Sequence, residues 1–173
     1  MKLIDNVNTR LIDDLKQTIA KGSRLHIAGA SFSIYAYEAL KKELNQIDEL
    51  QFIFSSPTFI EEHLKKDARQ FYIPHIYNEA ELCGGDFELR LKNQLNQRAI
   101  AKECAEWVKK KVTFKSNKNR TPLNGLIYVE GKENNEFAYS GISSFTTSDL
   151  GLTQRKGFPT LIQQTEYPNS KAY

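Results

Sequence analysis

The chain has 173 residues, about the length of one domain with a single hydrophobic core. Hydrophobic residues make up 40% and charged residues 26%, a balance that argues against both a disordered polymer and a membrane-embedded protein. The formal net charge of +3 is too small to indicate nucleic-acid binding by itself. No secretory leader opens the sequence, so we expect a cytoplasmic protein.

The first third of the chain alternates predicted helices and strands. Leu11, Leu15 and Ile19 recur at helical spacing, whereas the next apolar run is short and continuous, as in a buried strand. The predicted elements are a helix within residues 3–19, a strand at 25–30, a helix at 34–44 and a strand at 51–54. This order predicts an α/β domain.

The rest of the chain has a long irregular stretch and then regular elements again. Residues 71–86 show no clear period and contain Pro74 and Gly84-Gly85-Asp86, which favours a loop. Residues 87–111 have helical spacing and predict a helix of roughly 35 Å. Later strands are predicted at 123–129 and 160–166, with a turn after the second.

The side chains most often used in catalysis are sparse. His26 lies inside an apolar strand and is expected to be a buried, neutral imidazole, and His63 is expected on a solvated helix face. His75 follows a proline in a loop and is the one histidine with a conceivable function, although an incidental role is commoner. Cys83 and Cys104 have the spacing of neither a metal site nor a disulfide framework. The sequence contains no phosphate-binding Gly-rich loop, so any ATP-driven motor must lie outside it.

Three stretches carry a family resemblance. Residues 123–152 have the pattern of a strand, a hairpin and a turn rich in Gly and Ser. The chain opens with Ile-Asp-Asn, a helix and a strand that ends at Ser31-Phe32-Ser33, and residues 102–112 read KECAEWVKKKV. Together they resemble the phospholipase D-like nuclease superfamily, and in particular the domains at the N-termini of bacterial helicases.

The resemblance implies a mixed sheet flanked by helices, formed by residues 1–173 as one domain. It also implies a degenerate active site. Asn124 stands where the family has its histidine, Leu126 where it has its lysine, and Ser144, after Ser143, where the turn has asparagine. The family's reaction needs an imidazole to attack phosphorus and a cation to offset the phosphate charge. Because loss of a nucleophile costs on the order of a million-fold in rate, we expect no catalysis, no cofactor and no metal in this domain.

Positive charge is concentrated after the long helix, and we expect these side chains to contact a nucleic-acid backbone. The predicted contacts are Lys109, Lys110, Lys111, Lys115, Lys118 and Arg120. The helix dipole accounts for the first three without any ligand, and residues 115–120 are expected to form an exposed arm. Gly29-Ala30-Ser31 and Gly84-Gly85-Asp86 are weaker candidates for an anion cradle, and ordinary turns explain both.

The expected partners are DNA or RNA, helicase domains further along the same polypeptide, and a second copy of the chain, with no membrane. Family members with one motif per chain pair about a two-fold axis, which predicts a homodimer with an interface near the motif. Ile127, Val129, Ile142 and Phe145 are candidates for that interface, or else simply fill the core. Two alternatives stay open: an active metal-independent nuclease that uses His75, and a pure protein-interaction or dimerisation module.

Overall fold

A computed structural model describes residues 1–55, 87–117, 123–153 and 161–173, with side chains of the long helix described from residue 97 onward. The α-helices are α1 Leu11–Thr18, α2 Ile34–Ala39, α3 Lys41–Gln46 and α4 Phe87–Lys111. The strands are β1 Lys2–Ile4, β2 Arg24–Gly29, β3 Glu49–Phe54, β4 Val112–Ser116, β5 Gly125–Glu130, β6 Glu136–Ile142 and β7 Ile162–Glu166. A 3₁₀ helix follows at Asn169–Ala172.

The seven strands form one mixed sheet in the order β1-β7-β6-β5-β2-β3-β4. Strands β2, β3 and β4 are parallel, and every other neighbouring pair is antiparallel. The first two apolar strands of the sequence are thus parallel neighbours, and the predicted α/β class with a mixed sheet and flanking helices is confirmed.

The two faces of the sheet differ in what covers them. On the covered face, alternate strand residues are buried in the core, and they include Leu25, Ile27, Leu50, Phe52, Ile127 and Val129. Apolar side chains of α1, α2 and α3 belong to the same core cluster. The intervening strand residues form the second face, which is half-buried over β2, β3 and β5. The predicted buried role of His26 is wrong because His26 points to this second face, where its side chain is 39% exposed and its Nε2 lies 3.4 Å from Glu130 Oε2.

A buried polar cluster holds α1 on the covered face, over strands β1, β7 and β6. The Asp14 carboxylate is 4% exposed and accepts hydrogen bonds from Tyr139 Oη at 2.8 Å and Gln164 Nε2 at 2.7 Å. Lys2 forms an ion pair with the same carboxylate, and Thr18 Oγ1 lies 2.9 Å from Tyr139 Oη. A buried charge is tolerated when it is paired and hydrogen-bonded in this way. The cluster therefore joins β1, β6 and β7 to α1.

The long helix α4 is confirmed and measures about 37 Å at 1.5 Å per residue. Its last turns pack on α2 and α3: Trp107 Nε1 donates to the Leu44 carbonyl at 3.1 Å, and the Trp107 ring lies 4.9 Å from that of Tyr37. Cys104 is buried beside them, and desolvation raises the pKa of its thiol to about 11. Among the residues that the structure describes, no helix is both long and apolar enough to cross a bilayer.

Two predicted helices differ in extent from those observed. Helix α1 begins only at Leu11, because residues 2–4 form β1 and Asp5 ends that strand with a local turn. The Asp5 carboxylate accepts the backbone amides of Thr9 and Val7, which hold the pKa of Asp5 well below its usual range. The helix predicted at 34–44 is broken at Leu40, whose φ of −113° and ψ of 12° are not helical. His63, His75 and the irregular stretch at 71–86 lie outside the described residues.

Candidate functional site

The degenerate motif positions come together at one edge of the sheet. Strand β5 runs antiparallel to both β2 and β6, so its start lies beside their ends: Leu126 pairs with Ala28, and Gly125 pairs with Ile142. We call this place the motif edge and define it by Gly29-Ala30-Ser31, Asn124, Leu126, Ser143 and Ser144. In open α/β sheets, the edge beyond the carboxyl ends of the strands is the usual place for ligands.

A glycine permits the close approach of β5 and β6 at the motif edge. A β-carbon on Gly125 would lie 2.1 Å from the Ile142 carbonyl oxygen, far inside contact distance. The pairing register shifts between Gly125 and Leu126, as in a β-bulge. Gly125 thus sets the position of the exposed Asn124 relative to the turn after β6.

Backbone hydrogen bonds join the turn after β6 to the segment after β2. Ala30 N donates to the Ser143 carbonyl at 3.0 Å, and Phe145 N donates to the Ser31 carbonyl at 2.9 Å. In the predicted anion cradle at Gly29-Ala30-Ser31, the Ala30 amide is therefore already used inside the fold. The other predicted cradle, Gly84-Gly85-Asp86, lies outside the described residues.

The buried carboxylate of Asp149 holds the turn after β6 in place, and the sequence analysis did not identify this residue. Its carboxylate is 1% exposed and accepts hydrogen bonds from Ser143 Oγ at 3.1 Å and Thr146 Oγ1 at 2.8 Å. Asn6 Nδ2 donates to the Asp149 carbonyl at 2.8 Å. The signal was local, since a threonine three residues before an aspartate is typical of a side-chain-bonded turn. The contact with Asn6 spans most of the chain and has no such signal.

The side chains at the motif edge are amides, hydroxyls and hydrocarbon. Asn124 is exposed, Leu126 is half-buried and Ser144 is buried. An amide has no lone pair basic enough to attack phosphorus, and leucine has no charge to offer. His26, the described histidine, lies two residues before Ala28 on the second face and belongs to a different row of the sheet.

The structure separates the predicted basic residues into two groups. Strand β4 is parallel to β3, so Lys109, Lys110 and Lys111 lie at the edge opposite the motif edge, and Lys115 lies near the motif edge. At about 3.3 Å per residue, Lys111 and Lys115 are roughly 13 Å apart along the strand. Lys111 Nζ donates to the carbonyls of Asn45 at 2.8 Å and Ile47 at 2.5 Å, so it closes the end of α3.

The predicted exposed arm at 115–120 is partly wrong, because Lys115 and Ser116 belong to β4 and pair with Ile53 and Phe54. In β4 the apolar Val112 and Phe114 alternate with polar residues, but Lys115 was interpreted as part of a basic loop and not as part of a strand. Lys118 and Arg120 lie outside the described residues. The residues that flank them, Asn117 and Leu123, follow β4 and precede β5 at the motif edge.

The predicted interface residues are part of the monomer's core. Ile127, Val129, Ile142 and Phe145 are each at most 5% exposed and belong to the core cluster, so they are not available for an interface. Other apolar side chains are exposed in the loops at the motif edge, and we call them the apolar rim. They are Val7, Leu123, Leu152 and Leu161, with exposures of 71%, 41%, 41% and 61%.

Within residues 1–55, 87–117, 123–153 and 161–173, no group of three His, Cys, Asp or Glu side chains is placed to hold a metal ion. No protein-family model matches this sequence. A comparison with curated proteins likewise finds no match.

Proposed function

We propose that this chain is a catalytically silent phospholipase D-like domain that binds nucleic-acid backbone as an accessory module of a helicase or restriction-type machine. The supporting observation is the convergence of Asn124, Leu126, Ser143 and Ser144 at one edge of a mixed sheet. Residues that are up to twenty positions apart meet at this edge, which supports the proposal.

Catalysis is absent because the motif edge supplies neither a nucleophile nor a charge-stabilising cation at the two motif positions. Asn124 presents an amide and Leu126 a hydrocarbon side chain. Purified protein incubated with a chromogenic phosphodiester should give no turnover above buffer. Reproducible turnover in the absence of metal would instead favour the alternative of an active nuclease that uses His75.

Binding is proposed to use Lys115 in β4 and the two basic residues Lys118 and Arg120, which lie in the sequence between β4 and β5. Strand β4 ends at the motif edge, and β5 begins there. Lys109 and Lys110 are exposed at the opposite edge and remain a separate prediction. Three phosphate contacts should give a log–log salt slope of about −2 to −3, with little dependence on base sequence.

The test is fluorescence anisotropy with single-stranded and duplex oligonucleotides at several salt concentrations. The triple variant Lys115→Ala, Lys118→Ala, Arg120→Ala should weaken binding and flatten the salt slope by about 2 to 3. The matched control Lys16→Ala, Lys21→Ala, Lys42→Ala removes the same net charge from exposed positions elsewhere. Equal losses in the two variants would mean that only net charge matters and that the motif edge is not the binding site.

A second candidate function is homodimerisation or protein interaction at the motif edge, which the apolar rim favours. Its four exposed side chains lie in loops at the same edge of the sheet, and a contiguous exposed apolar patch is typical of an interaction site. Light scattering should then give a mass above the 19.9 kDa monomer, and Leu123→Glu with Leu161→Glu should restore the monomer. A strict monomer at every concentration would exclude pairing and leave a different protein as the partner of the rim.

A further inference from the structure

The second face of the sheet presents three rows of cross-strand neighbours. The row nearest the motif edge consists of Lys115, Ile53, Ala28 and Leu126. The middle row consists of Thr113, Gln51, His26 and Tyr128. The third row consists of Glu49, Arg24 and Glu130.

The first row forms a shallow apolar groove. Ala28 lies on the central strand β2 with Ile53 on one side and Leu126 on the other, and all three are half-buried. The distance from β3 to β5 across β2 is about 10 Å, twice the spacing between strands. An α-helix with its side chains is also about 10 Å across. One helix laid along β2 would therefore lie over Ala28, with its flanks on Ile53 and Leu126.

Only part of this face is covered by the described residues. Their α-helices pack on the covered face, whereas the 3₁₀ helix at 169–172 lies on the second face over β6 and β7. Ala138 and Thr165 are buried there, and Lys171 Nζ lies 3.8 Å from Glu136. All-parallel sheets occur almost only with both faces covered, and β2, β3 and β4 are the parallel part of this mixed sheet. A helix over β2 would continue the layer that the 3₁₀ helix begins.

The charges of the third row indicate what that helix carries. Glu49 and Glu130 present two carboxylates for the single guanidinium of Arg24, and the Glu130 side chain is 42% exposed. A helix with Lys or Arg along this side would pair with them, whereas acidic residues would be repelled. A second copy paired about a two-fold axis along the strands is a poorer partner, because it would bring the third row of one copy against the third row of the other.

We propose that the second face over β2, β3 and β5 is a docking surface for an amphipathic helix of a partner polypeptide, with an apolar stripe for the Ala28 groove and a basic flank for Glu49 and Glu130. Apolar anchors set against a complementary groove are the usual way in which a helix is recognised. Lys115 borders the apolar row of this surface and is also one of the nucleic-acid contacts proposed above. Glu49 and Glu130 are not among those contacts, so the charge preference of the peptide tests docking alone.

The probe is a synthetic 18-residue helix with a Leu/Ala stripe and a lysine flank, compared with the same helix carrying glutamate at the flank positions. Labelled peptide is titrated with the full chain and followed by anisotropy. We expect the lysine peptide to bind at least ten-fold more tightly than the glutamate peptide. The double variant Glu49→Gln, Glu130→Gln should remove most of that preference, whereas the exposed control pair Glu106→Gln, Glu133→Gln should keep it.

The groove is tested separately from the charges. Ala28→Leu fills the groove and should weaken binding of the lysine peptide at least five-fold, and Leu126→Lys should do the same. Leu152→Lys in the apolar rim should have no effect, and urea unfolding of each variant checks that it folds. The proposal would be overturned if the two peptides bound equally or if neither bound. It would also be overturned if the protein self-associated and Leu126→Lys made it monomeric, a result that would identify a second copy as the occupant.

Discussion

Tyr139 in β6 donates a hydrogen bond from its hydroxyl to Asp14 in α1 at 2.8 Å, across 125 positions of sequence. Both side chains are buried, and Gln164 and Thr18 complete the polar contacts of the tyrosine hydroxyl. The contact holds α1 against β6, because a shift of either element would leave the buried Asp14 carboxylate without this donor. Loss of this hydrogen bond should therefore lower the free energy of unfolding, because a buried acceptor without a donor keeps the full cost of its desolvation.

Tyr139→Phe should lower the free energy of unfolding by about 1–3 kcal/mol, since it removes this donor while Asp14 stays buried. Urea denaturation followed by far-UV circular dichroism measures the change. Tyr173→Phe, which removes a hydroxyl from a side chain that is 53% exposed, is the matched control and should change stability by less than about 0.5 kcal/mol. Equal effects of the two substitutions would contradict the structural role of the Asp14 cluster.

Stability should decline in alkaline solution. Burial raises the pKa of Tyr139 above its ordinary 10.0, and raises that of the Cys104 thiol from 9.0 to about 11. The unfolded chain therefore loses these protons at lower pH than the folded chain, so the stabilisation is complete below about pH 9 and is lost as pH rises through the folded values. Urea midpoints at pH 8, 9, 10 and 11 should fall steadily, and Cys104→Ala should reduce the fall between pH 9 and 10. A midpoint that rises or stays constant up to pH 11 would contradict this.

Gly125→Ala should destabilise the protein by about 1–3 kcal/mol, because the new β-carbon would overlap the Ile142 carbonyl oxygen and push β5 away from β6. The nearby Leu123→Ala removes a side chain that is 41% exposed and should be nearly neutral. Thermal unfolding of the two variants distinguishes a packing role of Gly125 from a general sensitivity of this loop. If Gly125→Ala unfolds at the wild-type temperature, the close approach of the two strands is not needed.

Lys111→Met should affect stability and leave nucleic-acid affinity unchanged. It removes a charged donor from the carbonyls of Asn45 and Ile47, and we expect a loss of about 1–2 kcal/mol. Lys110→Met, at an exposed position of the same helix turn, is the control and should be neutral in unfolding experiments. If Lys111→Met instead kept its stability and bound nucleic acid more weakly, Lys111 would be a nucleic-acid contact and not a structural residue.

Most of the sheet could be predicted from the sequence where a strand is buried in its centre. Residues 25–30 are apolar apart from His26, and residues 126–129 read LIYV, as expected of strands in the buried centre of a sheet. The edge strands were missed for physical reasons. β1 has only three residues, and β4 alternates apolar side chains with threonine and lysine, so its basic content obscured the period of two.

The composition of the candidate site was predicted better than its electrostatics. Asn124 and Ser144 could be placed at one site by resemblance, and their meeting depends on antiparallel pairings that no local pattern encodes. The separation of Lys111 from Lys115 follows from the direction of β4, which cannot be known before the strand itself is recognised. The contact of Asn6 with the Asp149 carbonyl could not be predicted, because Asn6 reaches that turn only when β1 has paired with β7.

The outer strand β1 pairs with β7, which is the last strand described. On the ribosome, Lys2 to Ile4 therefore have no strand partner until residues 162–166 have been synthesised. The next two elements, α1 and β2, can pack with β3 and β4 before then. The Lys2–Asp14 ion pair and the Asn6 contact with Asp149 must form in the same late step. Contacts of such high sequence separation slow folding. Nascent chains stopped before β7 should thus hold a sheet of β2 to β6 with an unpaired first segment, which is open to proteases and chaperones during synthesis.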